Sequence, residues 1–226
     1  MLTKIILFFK NIDYYTAIPR SLYFNLKYFN FWDAIKLPIL ISNNVYLRDM
    51  GGNIDIDFPI TNGMILIGFK GIGIFDENYL RTIWEVKGTV IFKGNACIGH
   101  GSKLAVGNNG TLIFGKNFTV VAETTIMCQH YIEFGDGVVL SWDNLIMDTD
   151  FHKIIINNQI VNENKPILIG NNVWVGCRCT ILKGTIIDDG NVVSSNSRLT
   201  RHIPGQGLLI GGSPAKLLKT NIRWEL

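Results

Sequence analysis

Large aliphatic side chains recur every six residues through the C-terminal part of this chain. Ile169, Val175, Ile181, Ile187, Val193 and Leu199 form an unbroken series. With 47% of the chain hydrophobic, six apolar residues in a chosen register arise by chance about one time in a hundred. Upstream the same spacing comes in blocks of three: Phe92, Ile98 and Leu104; Phe114, Val120 and Ile126; Phe134, Leu140 and Ile146. A period of six suits neither an amphipathic helix nor a meander of hairpins. It suits a short strand with its aliphatic residue turned inward, followed by a sharp corner. Glycine follows many of these residues, as in Ile98-Gly99, Phe114-Gly115 and Val175-Gly176, and Gly or Asn is expected to accept strained corner dihedrals. Three such units close a triangle. Each block of three then makes one turn of a parallel β-solenoid, with turns stacked about 4.8 Å apart.

The gaps between blocks mark where the solenoid is interrupted. Ile126 to Phe134 is eight residues, Leu104 to Phe114 is ten, and Ile146 to Ile169 is 23. All three excesses over six fall at the same corner of the triangle. The largest, residues 147–166, is expected to project as a loop, and insertions at one corner of a repeat array are where function collects. Residues 37–219 read as the solenoid domain, regular from about residue 90 and degenerate before it. Residues 1–36, aromatic and broken by Pro19, read as a partly helical arm capping the open end, and 220–226 as a tail.

Composition narrows the setting. The 226 residues suffice for one domain with a full core, and 33 Ile with 23 Gly favour strands over a helical bundle. No apolar run reaches the roughly 18 residues of a membrane-spanning helix. The opening Met1–Lys10 has a five-residue apolar centre and no small-residue cleavage site, a poor signal peptide. Four cysteines (97, 128, 177 and 179) are too sparse for a disulfide scaffold and read as reduced thiols. A cytoplasmic protein is expected, with at most peripheral contact with the inner membrane face. Residues 165–226 carry eight basic and three acidic side chains, which suggests an anionic ligand there. No basic stripe with interleaved aromatics points to nucleic acid.

Three stretches give the pattern a family. Asn172-Val-Trp-Val-Gly-Cys177, Gly190-Asn-Val-Val-Ser-Ser-Asn-Ser-Arg-Leu-Thr-Arg-His-Ile-Pro204 and Gly212-Ser-Pro-Ala-Lys-Leu-Leu-Lys219 resemble the hexapeptide-repeat acyltransferases. Repeats and motifs together cover about residues 90–219. The resemblance implies an all-β, left-handed parallel β-helix. Its left hand comes from the resemblance alone, because parallel crossovers are otherwise overwhelmingly right-handed.

Met147-Asp-Thr-Asp-Phe-His-Lys153 opens the long loop. In an extended backbone Asp148, Asp150 and His152 point to one side. A carboxylate beside an imidazole fixes its tautomer and raises its basicity, as a general base requires. The stretch resembles the Asp-x-Asp-x-His-x-Ile signature of saccharide O-acetyltransferases, which implies His152 as the base. Either aspartate could orient the ring, with Asp150 favoured and Asp148 left to the substrate. Gln129, His130, Trp142 and Asp143 are further candidates for facing the acceptor. Two aspartates and a histidine could also ligate a metal, but the four histidines show no metal-site spacing and no metal is expected.

For the acyl donor, acetyl-CoA, the resemblance implies contacts residue by residue. Trp174 precedes inward-facing Val175 and so points outward, near the donor or a neighbouring subunit. Cys177 lines the pantetheine channel, Ser195 lets that arm pass, Thr200 and Arg201 lie near the nucleotide, and Lys219 reaches phosphate. Ser194-Ser195-Asn196 stands where the family has Gly-Ala-Gly, and Arg-His at 201–202 where it has Lys-Asp. The expected activity is O-acetylation of a sugar hydroxyl on a surface polysaccharide or its precursor, in a homotrimer with sites between subunits. The alternatives are N-acylation of an amino sugar or small amine on the same fold, and a non-catalytic solenoid used for binding or assembly.

Overall fold

The computed structural model of the chain describes residues 12–69, 72–76 and 79–225. Residues 1–11 of the expected arm lie outside the described residues. From Ile39 onward the chain winds through three sheets of nine, seven and six strands, parallel except for the last strand of the nine, visiting one face after another. The nine-stranded sheet is the first face, the seven-stranded the second and the six-stranded the third. The hexad residues stack in register. On the first face Ile41, Ile67, Ile98, Val120, Leu140, Val175, Val193 and Ile210 form one column. Trp84, Leu104, Ile126, Ile146, Ile181 and Leu199 form the second. Phe92, Phe114, Phe134, Ile169 and Ile187 form the third. All three columns are buried and meet in one core. The phenylalanines of the third column stack with centroids 5.1 and 5.7 Å apart.

At many corners the chain turns through one residue that adopts the left-handed region. Asn117, Gly137, Asn172 and Gly190 do so where the third face turns into the first. Glu123, Asp143, Arg178 and Asn196 do so where the first turns into the second. The asparagines behave as the sequence suggests, whereas Glu, Asp and Arg are held there by the stacked coils on either side. The glycines after the core residues serve another purpose than the one expected. Gly99 and Gly176 are absent from the left-handed set, and a Cβ on Gly99 would lie 1.9 Å from the Val121 carbonyl oxygen. They permit close approach of the next coil rather than a strained dihedral.

Helix α1 (Ile12–Thr16), helix α2 (Ile18–Tyr28) and helix α3 (Phe31–Ala34) precede the first coil. Buried Phe24 packs edge-on against Trp84, whose Nε1 donates to Tyr28 Oη over 3.1 Å, closing the end of the core. At the other end Leu209–Gly211 pairs with antiparallel Lys216–Lys219. The molecule is a three-sided parallel β-helix.

Candidate active site

The excess residues between Ile146 and Ile169 leave the solenoid at the corner joining the second and third faces. Their tip is a hairpin, Ile155–Ile156 against Gln159–Ile160, turned by Asn157 and Asn158 at φ 49° and 62°. Positive φ at both turn residues matches the twist of a two-residue hairpin.

Asp148 anchors the base of this loop. It is fully buried, and its carboxylate accepts from the backbone N–H groups of Gln129, His130 and Tyr131 at 2.7–2.8 Å. The expectation that Asp148 faces the substrate is therefore wrong. A buried carboxylate that accepts from three backbone amides holds the preceding coil's corner and has no exposed oxygen to offer. Phe151 at φ 61° breaks the extended path, so 148, 150 and 152 do not point to one side.

Asp150 departs from its expected role as well. Its Oδ2 accepts from Lys183 Nζ at 2.6 Å and from Asn162 Nδ2 at 2.9 Å. The hydrogen bond from Lys183, then that from Asn162, holds its carboxyl below the usual carboxylate range. Lys183 also donates to the Asn162 carbonyl, and Asn162 donates to the His152 carbonyl at 2.8 Å. Together these bonds fix the backbone on both sides of His152. The imidazole itself is exposed and has no hydrogen-bond partner among the described residues. Asp150 thus positions the backbone of the base, not its ring. Lys183 and Asn162 were missed from sequence because their roles depend on contacts 33 and 12 residues away.

Gln129 lies at the loop's own corner, two residues beyond Met127, which pairs with Met147. Exposed His130 follows it. Trp142 does not join them: it ends a first-face strand, half-buried, and its carbonyl accepts from Arg178 N at the corner between the first and second faces. Asp143 pairs there with Arg178 at 3.3 Å.

The residues expected at the donor fall into three places. Trp174 is 39% exposed on the first face, its Nε1 donating to Ser141 Oγ over 3.1 Å. Its ring lies 6.0 Å from that of Trp224, whose own Nε1 donates to the Asn172 carbonyl. Trp224 carried no signal in the sequence beyond being an aromatic in a polar tail. Cys177 and Ser195 stack at the next corner, Sγ to Oγ 3.4 Å. Burial pushes the Cys179 thiol up, and burial and then Asp148 push up that of Cys128. Exposed Thr200 and Arg201 follow Leu199, which stacks on Ile181, so they lie at the loop's corner one coil beyond Lys183. Exposed Lys219 ends the antiparallel strand at the edge of the first face.

The first face is the side of the triangle opposite the corner that carries the loop. One chain therefore keeps His152 and Trp174 on opposite sides of the solenoid.

Comparison with known proteins agrees with this architecture. Residues 166–201 match the family described as bacterial transferase hexapeptide, six repeats. A polysialic acid O-acetyltransferase of Neisseria meningitidis is 38% identical over 104 residues, 45% of this chain and 48% of that protein. A probable acetyltransferase of Mycobacterium tuberculosis is 28% identical over 170 residues, 74% of this chain and 53% of that protein. An uncharacterized 24.8 kDa protein in the cps region of Klebsiella pneumoniae is 29% identical over 206 residues, 91% of this chain and 86% of that one. The chain thus spans about half the length of the first two.

Proposed function

We propose that this chain, whose residues 166–201 match the bacterial transferase hexapeptide family, is an acetyl-CoA-dependent O-acetyltransferase acting on a sugar hydroxyl of a surface polysaccharide or its precursor. One observation carries the reading: a loop with an unpartnered, exposed imidazole projects from the solenoid, and its backbone is pinned on both sides of that residue. A passive scaffold has no use for such an arrangement. The relative that acts on polysialic acid supports a saccharide acceptor.

In the proposed reaction His152 takes the proton of the acceptor hydroxyl as its oxygen attacks the thioester carbonyl. The tetrahedral intermediate collapses by breaking the C–S bond. The imidazolium returns its proton to the departing thiolate, leaving a sugar acetate ester and free CoA. Holding both substrates in one cleft supplies much of the rate. Trp174, Cys177 and Ser195 would line the donor channel. Arg201 and Lys219 would meet the donor's phosphates with screened, salt-sensitive attraction.

The cleft needs a second subunit. His152 and Trp174 lie on opposite sides of one solenoid, and a homotrimer would set the loop of one copy against the first face of the next. Phe151, Ile154, Ile155 and Ile156 on the loop are all more than half exposed, an apolar surface of the kind that a subunit contact covers.

The test is thiol release from acetyl-CoA against a panel of oligosaccharides, with products weighed for the acetyl increment. Release that depends on a saccharide hydroxyl supports the reading. Transfer to amino sugars alone, or no release with any acceptor, overturns it.

A further inference from the structure

Helix α2 buries two polar side chains beside Phe24 and leaves several apolar ones exposed. Ser21 and Asn25 are fully buried, and both serve the open edge of the first sheet. Ser21 Oγ accepts from Ile41 N at 2.9 Å, while Asn25 exchanges bonds with the N–H and C=O of Ile39. The polar side chains face inward because the first coil has no preceding coil to satisfy its backbone. Phe24 is buried beside them, but a group of apolar side chains is left outside: Ile18, Tyr23 and Leu26 on α2, then Phe31, Trp32 and Ile35. Phe31 and Trp32 meet edge to face at 5.4 Å and are still 59% and 72% exposed.

Charge and composition say what could cover this patch. The first 36 residues carry five basic and two acidic side chains, whereas residues 37–164 carry eight and thirteen. The same 36 residues hold ten of the aromatics of the chain. Lys27 is exposed and has no partner among the described residues, although Lys36 is paired with Asp33 at 2.8 Å. The chain that enters α1 continues this chemistry in sequence, with Ile5-Ile6-Leu7-Phe8-Phe9 set between Lys4 and Lys10. Trp and Tyr beside Lys, with aliphatics between, is the composition that settles at the headgroup level of a bilayer.

We propose that this end of the solenoid docks on an anionic lipid surface. The aromatic and aliphatic side chains enter the headgroup region, and Lys27 meets lipid phosphate. The strand beside α2, Ile39–Ile41, lies five strand steps from Trp174–Val175 along the first sheet. That is about 24 Å at the inter-strand spacing, so docking leaves the candidate cleft clear of the membrane.

The test floats the full chain with vesicles of phosphatidylcholine alone and of phosphatidylcholine with phosphatidylglycerol. The protein is expected to partition onto the mixed vesicles, less onto the neutral ones, and less in high salt. Phe31→Ser with Trp32→Ser should lower the partition coefficient by about ten-fold or more on both vesicles. Lys27→Glu should lower it on the mixed vesicles and leave the neutral ones unchanged. These side chains are outside the core, so the thermal transition should hold. If the first pair misfolds, Tyr23→Ser with Leu26→Ser replaces it. Equal partitioning of wild type and the Phe31/Trp32 variant overturns the proposal, as does no partitioning at all. A wild-type oligomer in light scattering that the Phe31/Trp32 variant breaks, without vesicle binding, would show instead that the patch joins copies of this chain.

Discussion

Lys183 Nζ lies 2.6 Å from Asp150 Oδ2 and 2.7 Å from the Asn162 carbonyl, so one ammonium clasps both strands of the loop that presents His152. Lys183 belongs to the coil beneath, just after the strand Thr180–Leu182. The loop is thereby referenced to the rigid solenoid rather than left to its own hairpin. The ion pair is largely exposed on the Asp150 side, 43% against 16% for Lys183, and so contributes little to global stability. Its effect is on the placement of His152.

Lys183→Met should therefore lower kcat/KM by about ten-fold while shifting Tm little, because misplacing a base slows transfer without unfolding the core. Lys183→Arg should recover part of the loss. Steady-state kinetics beside a thermal melt separates the two readouts. Full activity in the methionine variant would remove the clasp from the mechanism.

Acid should loosen the clasp late. The folded-state pKa of Asp150 is depressed by Lys183. Its contribution is then fully present above the unfolded value of about 3.9 and is lost as pH falls through the lower folded value. Wild type should keep the clasp at pH 5 and lose it only in strong acid. The Asp150 carboxyl carbon, followed by NMR, should titrate below the ordinary aspartate value in wild type and move back up in Lys183→Met. Identical titration in the two proteins would contradict the assignment.

Asp148 and His152 should separate cleanly, although only three residues lie between them. Asp148→Ala empties a buried site and leaves three backbone amides without their acceptor, which should destabilise by roughly 3 kcal/mol and lower Tm by several degrees. His152→Ala removes an exposed ring with no hydrogen bond among the described residues. It should leave Tm unchanged and reduce the acetyl-transfer rate by about two orders of magnitude or more, with donor affinity held. An active His152→Ala protein would take this residue out of the chemistry.

The contrast shows what sequence could and could not convey. Phe92, Phe114 and Phe134 were legible as one column because a solenoid writes the same contact again every turn, and repetition survives noise. The loop's place was legible for the same reason, since an insertion is visible only against a regular period. The coil begun by Ile39–Ile41 was faint because its core positions come with irregular spacing. Glu123 and Arg178 at left-handed corners were not legible at all, since local preference argues against them and stacking overrides it. At the site, Asp148 resembles a substrate or base-orienting residue in the linear motif. Its true partners, the amides of residues 129–131, are brought beside it by the coil stacking and leave no mark on neighbouring letters. Lys183 and Trp224 are invisible for that reason too.

Opposite placement of His152 and Trp174 on one solenoid yields the most discriminating prediction. If each site joins the loop of one subunit to the first face of the next, neither residue acts with its counterpart in the same chain. His152→Ala and Trp174→Ala would each be defective alone. Coexpressed in equal amounts, they would assemble at random into mixed trimers. An interface works when the loop comes from a Trp174→Ala subunit and the face from a His152→Ala subunit. Each condition holds for half the subunits, so about one quarter of interfaces should regain both intact residues. The coexpressed protein should then show roughly a quarter of wild-type activity, well above the mean of its parents. Light scattering should give three times the 25.4 kDa of one chain. Activity no greater than the parental mean in a verified mixed trimer would place the whole site within a single subunit, and a fully active monomer would dispose of the shared cleft altogether.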